Sequence, residues 1–340
     1  MIRYTKIAIV VFSLSLSYGQ ITGSVSNVAT TAASFLDIGI GARSLSMGGA
    51  FVAIADDPTA LYWNPAGIVN IESPMAHFYH SPWIADVQFN HSAVVVPLDR
   101  SSSFGFFITS VTMDEMQVRT VKSPQGTGEY FSVSNVALAG SYARRLTDRF
   151  SFGVNMKFIQ EKIWHMNAGG LAVDLGSLFV TKNSGLRIGM SVSNFGGKIS
   201  MDGYDTEVDY DVDETMYGNN DKIDASLNSM DWPLPLVFRA GVSKDVVQSD
   251  VHKLTLAADA IHPNNNVEYI NLGFEYILRK MISIRAGQAF YGMDQSKEGI
   301  TFGVGLNYQI PRGPKVTFDY VYRDIGVFDN IPGYSLNIIF

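Results

Sequence analysis

From about residue 75 onward, apolar and polar residues alternate. In 150–158 the even positions are apolar, while the odd ones are Ser151, Gly153, Asn155 and Lys157. Ile300, Phe302, Val304, Leu306, Tyr308 and Ile310 alternate with Thr301, Gly303, Gly305, Asn307 and Gln309. A period of two is the signature of β-strands with one apolar and one polar face. About 14 such runs are expected, over 75–81, 87–98, 102–112, 128–145, 149–163, 168–181, 186–197, 233–246, 251–262, 267–278, 281–290, 299–310, 315–325 and 333–340. Many reach ten residues, beyond the five or six of an average soluble strand and close to the ~9–11 that a tilted strand needs to cross a bilayer.

The connections add a second signal. Those after even-numbered strands are short (99–101, 146–148, 182–185, 279–280, 311–314). Those after odd-numbered strands are longer on average (113–127, 198–232, 291–298, 326–332). Short turns on one rim and long loops on the other suit an outer-membrane barrel. A soluble β-sandwich would also alternate, but with shorter strands and turns every 8–12 residues. The expected fold is therefore an all-β membrane protein, an antiparallel transmembrane β-barrel of about 14 strands over 73–340. Its inward face carries Lys157, Arg187, Arg239, Asp259, Glu275, Arg285 and Asp319, a mixed-charge set that suits a polar lumen.

Residues 20–72 lack this alternation. They hold Gly39, Gly41, Gly48, Gly49 and Gly67 and short helix-like pieces, a size and texture suited to a hatch, or plug, within the barrel. Within ADDPTALYWNPAGI (55–68), Asp56 or Asp57 can cap a turn that opens on Pro58. Thr59 to Tyr62 would form it, and Pro65 would push Asn64 into extended conformation. Gly67 would supply a left-handed exit. Arg43 is expected to tether the hatch by pairing with a barrel acid or with Asp56 and Asp57. Trp63 is expected to pack on the barrel wall.

Composition narrows the function. The 340 residues are 46% hydrophobic and 17% charged, below the roughly 25% charge of a soluble domain. A net charge of −7 argues against a nucleic-acid partner. With no cysteine there is no disulfide framework, thiolate site or lipoprotein anchor. Arg3 and Lys6, an apolar run over 7–16 and Ser17-Tyr18-Gly19 read as a secretory signal peptide over 1–19, cut before Gln20. The loop 198–232 carries ten acidic residues. Its Glu207–Asp213 run lacks the glycine of a calcium loop, which leaves a solvated outer loop or a partner surface. His77 and His80 would face opposite sides of a strand, so no shared metal is expected. No Gly-x-Ser-x-Gly elbow is present, and neither catalysis nor a cofactor is expected. Tyr334, Leu336, Ile338 and Phe340 share one face. Ending on that aromatic resembles the closing-strand signal of barrels delivered to the outer-membrane assembly machinery.

The stretch FLDIGIGARSLSMGGAFVAIADDPTALYWNPAG (35–67) resembles the N-terminal region of PorV/PorQ-type outer-membrane proteins. These are similar to FadL-type long-chain fatty-acid channels, which carry a like Asn-Pro-Ala-Gly segment before the first strand. The resemblance rests on Arg43, Gly48, Gly49, Asp56, Asp57, Trp63, Asn64, Pro65 and Gly67, and implies a 14-stranded barrel with an N-terminal hatch. PorV-type proteins imply partners among the cargo or components of type IX secretion. FadL-type proteins imply instead passage of a hydrophobic small molecule. Outer-membrane lipid surrounds the barrel in either case.

Overall fold

The computed structural model describes residues 27–212, 215, 222–291, 299–326 and 328–340. The expected signal peptide with its cut, and Asp213 of the acidic run, lie outside the described residues. Fourteen long strands follow in order: β1 Met75–Pro82, β2 Gln88–Pro97, β3 Ser102–Thr112, β4 Val133–Thr147, β5 Phe150–Ile163, β6 Met166–Val180 and β7 Arg187–Gly196, then β8 Val237–Gln248, β9 His252–Pro263, β10 Tyr269–Leu278, β11 Ile282–Tyr291, β12 Ile300–Gln309, β13 Lys315–Ile325 and β14 Phe328–Ile339. Each pairs antiparallel with its chain neighbours. β1 also pairs with β14, from Met75↔Ile339 to His80↔Tyr334, and this closes the ring. Closure removes every sheet edge, the condition for strands in lipid. Among the described residues no helix is long and apolar enough to cross a membrane.

Burial runs opposite to that of a soluble protein. Phe104, Phe106, Ile108, Phe158, Phe274, Phe302, Val304 and Leu336 are exposed on the outer wall, whereas Asn155, Asp174, Asp259, Glu275, Asp319 and Ser335 are buried on the inner wall. An apolar band of this extent facing outward marks contact with hydrocarbon. A sandwich would bury that face instead.

Strand bounds agree with the alternation to within two residues, with three corrections. β4 starts at Val133 rather than 128, because Tyr130–Phe131 pairs with Met116–Gln117 in a hairpin of the preceding loop. β8 starts at Val237, not 233, since Pro233 and Pro235 lack the N–H a ladder needs. The connection expected over 326–332 is a tight turn: Gly326 takes φ 63°, Ile325 pairs with Phe328, and β14 begins five residues early.

Two of the remaining long connections are organised. In 113–132, Met116–Gln117 pairs antiparallel with Tyr130–Phe131. In 197–236, Asp202–Gly203 pairs back onto Asn167 and Met166, Glu207–Tyr210 pairs with Ile223–Ser226, and Ile199 bridges to Trp232.

The described N-terminal residues form four short elements: a 3-10 turn Ser34–Asp37, α1 Ala42–Ser46, α2 Ala60–Trp63 and a 3-10 helix Pro65–Asn70. α1 touches β11, β12, β13 and β14. The Pro65–Asn70 helix touches β3, β4, β5 and β6 on the opposite side of the ring. Between them Phe51, Val52 and Ala53 are fully buried.

Candidate functional site

The interface between the N-terminal segment and the inner wall is where most of the expected site residues meet. Its geometry starts locally. Gly41 (φ 84°) lets the chain enter α1, and Gly48 (φ 65°) and Gly49 (φ 77°) turn it out again, conformations that a side chain would strain. Asp57 Oδ1 accepts from the Thr59 amide (2.9 Å) and hydroxyl (2.5 Å), so Asp57 rather than Asp56 caps the turn. Asn64 is extended (φ −162°). Its Nδ2 donates to the carbonyls of Val52 (2.8 Å) and Ser177 (2.9 Å), and its Oδ1 accepts from Ala66 (3.2 Å). One side chain thus ties two parts of the segment to β6. Pro65 opens the 3-10 helix, where its missing N–H costs nothing. Gly67 is a correction: it lies inside that helix and takes no left-handed conformation. Glycine is required there because a Cβ would lie 2.0 Å from the Ala55 carbonyl oxygen.

Arg43 is the centre of the charge arrangement. Its Nε and Nη2 donate to the two carboxylate oxygens of Glu275 (both 2.9 Å), a bidentate fork. Its Nη1 donates to Asp56 (2.5 Å) and Asp57 (3.0 Å). Burial opposes the guanidinium charge. The carboxylates of Asp56, Glu275 and Asp57 outweigh it and push the Arg43 pKa well above its ordinary value. The chain of charges continues along the wall. Arg285 donates to Glu275 (2.7 Å) and Asp319 (2.7 Å), Asn337 donates to Asp319 (3.4 Å), and His77 Nδ1 meets Asn337 Oδ1 at 2.7 Å. Residues from β10, β11, β13, β14 and β1 therefore form one hydrogen-bonded belt, with Arg43 as its link to the segment.

A second anchor sits across the ring. Lys157 pairs with Asp174 (2.8 Å) and also donates to Asn194. Asn155 donates to Asp174 (2.8 Å) and to the Leu61 carbonyl (2.6 Å). Asp259 accepts from the Val52 amide (2.9 Å). Arg239 donates to Ser193 (3.0 Å) and lies over the rings of Tyr62 (5.4 Å) and Trp63 (5.6 Å). The Trp63 indole N–H donates to the Ile40 carbonyl (3.1 Å). Arg187 pairs with Asp245 (2.9 Å) and donates to Ser243 (2.9 Å), whose hydroxyl donates to the Ala53 carbonyl of the segment (3.1 Å). Phe340 lies elsewhere, exposed at the end of β14, with its amide donating to Pro74 (3.0 Å).

Sequence reasoning missed one set of residues. Inward positions on successive strands are glycine where the segment touches the wall. A Cβ on Gly189 would lie 2.3 Å from the Val52 oxygen, and one on Gly287 would lie 2.1 Å from the Gly48 nitrogen. Gly153, Gly176, Gly273 and Gly303 meet the segment similarly. The available signal was glycine recurring at inward positions, which looked like a generic polar face. The histidines were half legible. His80 is exposed, as opposite faces require, but His77 and His91 are both buried with ring centroids 5.8 Å apart. Among the described residues no cluster of three or more His, Cys, Asp or Glu could hold a metal.

A cavity of about 260 Å³ remains between segment and wall near the long-loop rim. Tyr62, Trp63, Trp83, Arg239, Phe290 and Arg323 are among its lining residues. Beside it the β10–β11 ladder is irregular. Ile270 faces Tyr291 but Leu272 faces Gln288, so Asn271 opposes the two residues Ala289 and Phe290. Phe290 takes φ 53°, and its amide donates to Asn271 Oδ1 (3.1 Å). This is a β-bulge that bends the strand at the cavity. Asp37, another lining residue, accepts a hydrogen bond from Asn265 (2.8 Å).

Comparison with known proteins gives two kinds of likeness. The family model described as type IX secretion system protein PorV matches residues 22–231. Among curated proteins none matches the sequence. Among solved structures the chain is similar to the CymD monoaromatic hydrocarbon channel (12% identity, TM-score 0.56, covering 89% of this chain and 98% of that one). It is also similar to the Ralstonia pickettii toluene transporter TbuX (12%, 0.54, 88% and 97%) and to a Pseudomonas aeruginosa FadL homologue (12%, 0.52, 88% and 97%). At these identities the likeness is one of fold.

Proposed function

Since the chain belongs to the PorV family of type IX secretion system proteins, we propose that this outer-membrane barrel acts by binding, without chemistry of its own, and that its partners are cargo or components of a type IX-like secretion machine. The family match over 22–231 carries this reading, and the long-loop rim supports it. That rim bears two hairpins, and the Glu207–Tyr210 arm with its neighbours presents Asp205, Glu207, Asp209, Tyr204 and Tyr210 on the surface. The exposed tyrosines suit a protein partner, and the acids beside them favour one with a basic surface. Residues 20–72 serve as the hatch, held by Arg43 and Asn64, with Gly48, Gly49, Trp63, Pro65 and Gly67 giving its shape. The leader 1–19 directs export, and Phe340 serves recognition by the barrel-assembly machinery.

The test is an affinity pull-down of the tagged, full-length protein from native outer membranes, beside a variant lacking residues 204–228. Recovery of secretion-system proteins by the wild type, lost in the variant, is expected. Recovery of none, together with reduced uptake of a hydrocarbon or fatty acid on gene deletion, overturns it. One observation favours that second reading, a conduit for hydrophobic small molecules: the aromatic-lined cavity lies beside the β10–β11 bulge, where a bent strand could open a lateral path.

A further inference from the structure

Among the described residues, the arginines where segment and inner wall meet are satisfied, with one exception. Arg43, Arg187 and Arg285 each hold a carboxylate, and Arg239 donates to Ser193 while stacked on two rings. Arg323, near the long-loop end of β13, is 9% exposed, and its Nε and Nη2 have no hydrogen-bond partner among the described residues. Its guanidinium carbon lies 5.0 Å from the centre of the Trp83 ring, which covers one face of the plane. A buried guanidinium cannot shed its proton, and burying its charge without a counter-charge is costly. The acids that share its cavity are engaged elsewhere: Asp37 accepts from Asn265 (2.8 Å) and Asp324 from the Gly326 amide (2.9 Å).

The rest of the cavity describes what could bring the missing anion. Ile38, Leu45, Trp63, Ile261 and Phe290 make much of its wall apolar, and Asn271 and Thr301 are the neutral polar groups beside them. Its volume of about 260 Å³ corresponds to roughly nine waters at ~30 Å³ each. That room holds a one-ring molecule. We propose that the Arg323 cavity is a binding site for a compact organic carboxylate, with the carboxylate in the Arg323 fork and an apolar body of about one ring against Trp63, Trp83 and Phe290. A planar guanidinium matches both carboxylate oxygens at once, and flat aromatic walls match a flat ligand. The site is independent of the secretion reading, which could fail in the pull-down while this one stands.

The experiment titrates the purified full-length barrel in detergent micelles with 4-phenylbutyrate and with 4-phenylbutanol, followed by calorimetry and tryptophan fluorescence. The two probes share a ring and chain and differ in charge. Saturable binding of the acid, about tenfold or more tighter than the alcohol, is expected, since a charge-assisted bidentate contact distinguishes them. Arg323→Gln should abolish that preference while heat-modifiable migration on gels stays that of the folded barrel. Equal affinities for the two probes, no saturation by the acid at millimolar concentration, or an undiminished preference in Arg323→Gln overturns the proposal. If Arg323→Gln does not fold, the acid-to-alcohol ratio on the wild type decides alone.

Discussion

The two walls of the same strands obey different rules. On the outer wall, Phe302, Val304 and Leu306 follow one another on β12, and β11 and β13 present Ile284 and Phe318 beside them. Nothing there is met by a specific partner; any apolar side chain of similar size meets lipid equally well. On the inner wall the intervening residues are individually specified. Thr301 accepts from Gly48 (3.0 Å) and donates to the Ser46 carbonyl (3.1 Å), and Gly303 leaves room for Ser46. One residue of displacement along a strand therefore changes a solvent-like requirement into a jigsaw one. The asymmetry arises because lipid is a uniform medium, while the segment inside is a folded surface with its own donors, acceptors and contours.

The sharpest way to break this comparison is to remove the link that joins segment and wall. Arg43→Ala leaves Glu275 facing Arg285 alone and leaves Asp56 and Asp57 without their cation. Breaking a buried pair in this way costs about 3–5 kcal/mol. Urea unfolding of the protein in lipid vesicles should register that loss, and hydrogen exchange should speed up over residues 42–57 before the strands open. If exchange there is unchanged, Arg43 is not the tether. A smaller loss is expected from Gly287→Ala. The new methyl group would sit against the backbone of Met47 and Gly48 rather than against a movable side chain. Overpacking of this kind costs about 1–3 kcal/mol. The same unfolding assay measures it, and a neutral result would mean that the segment sits loosely against β11.

The period-two reading was sufficient for the outer wall because lipid imposes a single requirement, repeated at every second residue. Strand number, closure and most bounds were legible from it. The misjudged places were set by particular local chemistry. Tyr130–Phe131 found a partner in its own loop rather than in β5, and Gly326 made a turn where a loop was expected. The inner wall was legible only as polar. Arg43 could be expected to seek an acid from its charge and from the glycines around it. That Glu275 would be its bidentate partner, 232 residues away, depends on three-dimensional register that alternation does not encode. Arg323 falls in a strand pattern where nothing marks it out from any other inward charge, and its lack of a partner exists only once every neighbour is placed. Gly67 shows the same limit from the other side. The residue type was informative, but its cause, the nearby Ala55 carbonyl, is a tertiary contact.

The smallest effect is the one that tests the outer wall. Phe302 is exposed on β12 and faces hydrocarbon. Phe302→Leu exchanges one apolar group for another in a medium that makes no directional demands, and the neighbours Ala286 and Tyr322 across the two ladders stay in place. In a protein core a large-to-small apolar exchange costs stability through the cavity it leaves. In lipid, where acyl chains flow into any gap, the change should be smaller than that of Gly287→Ala, although it removes more atoms than that substitution adds. The midpoint of urea unfolding in vesicles, compared for the two variants under one condition, reads this directly. Were Phe302→Leu to cost as much as Gly287→Ala, the outer face would be a specified surface too, and a protein partner seated on β12 would have to replace bulk lipid as its neighbour.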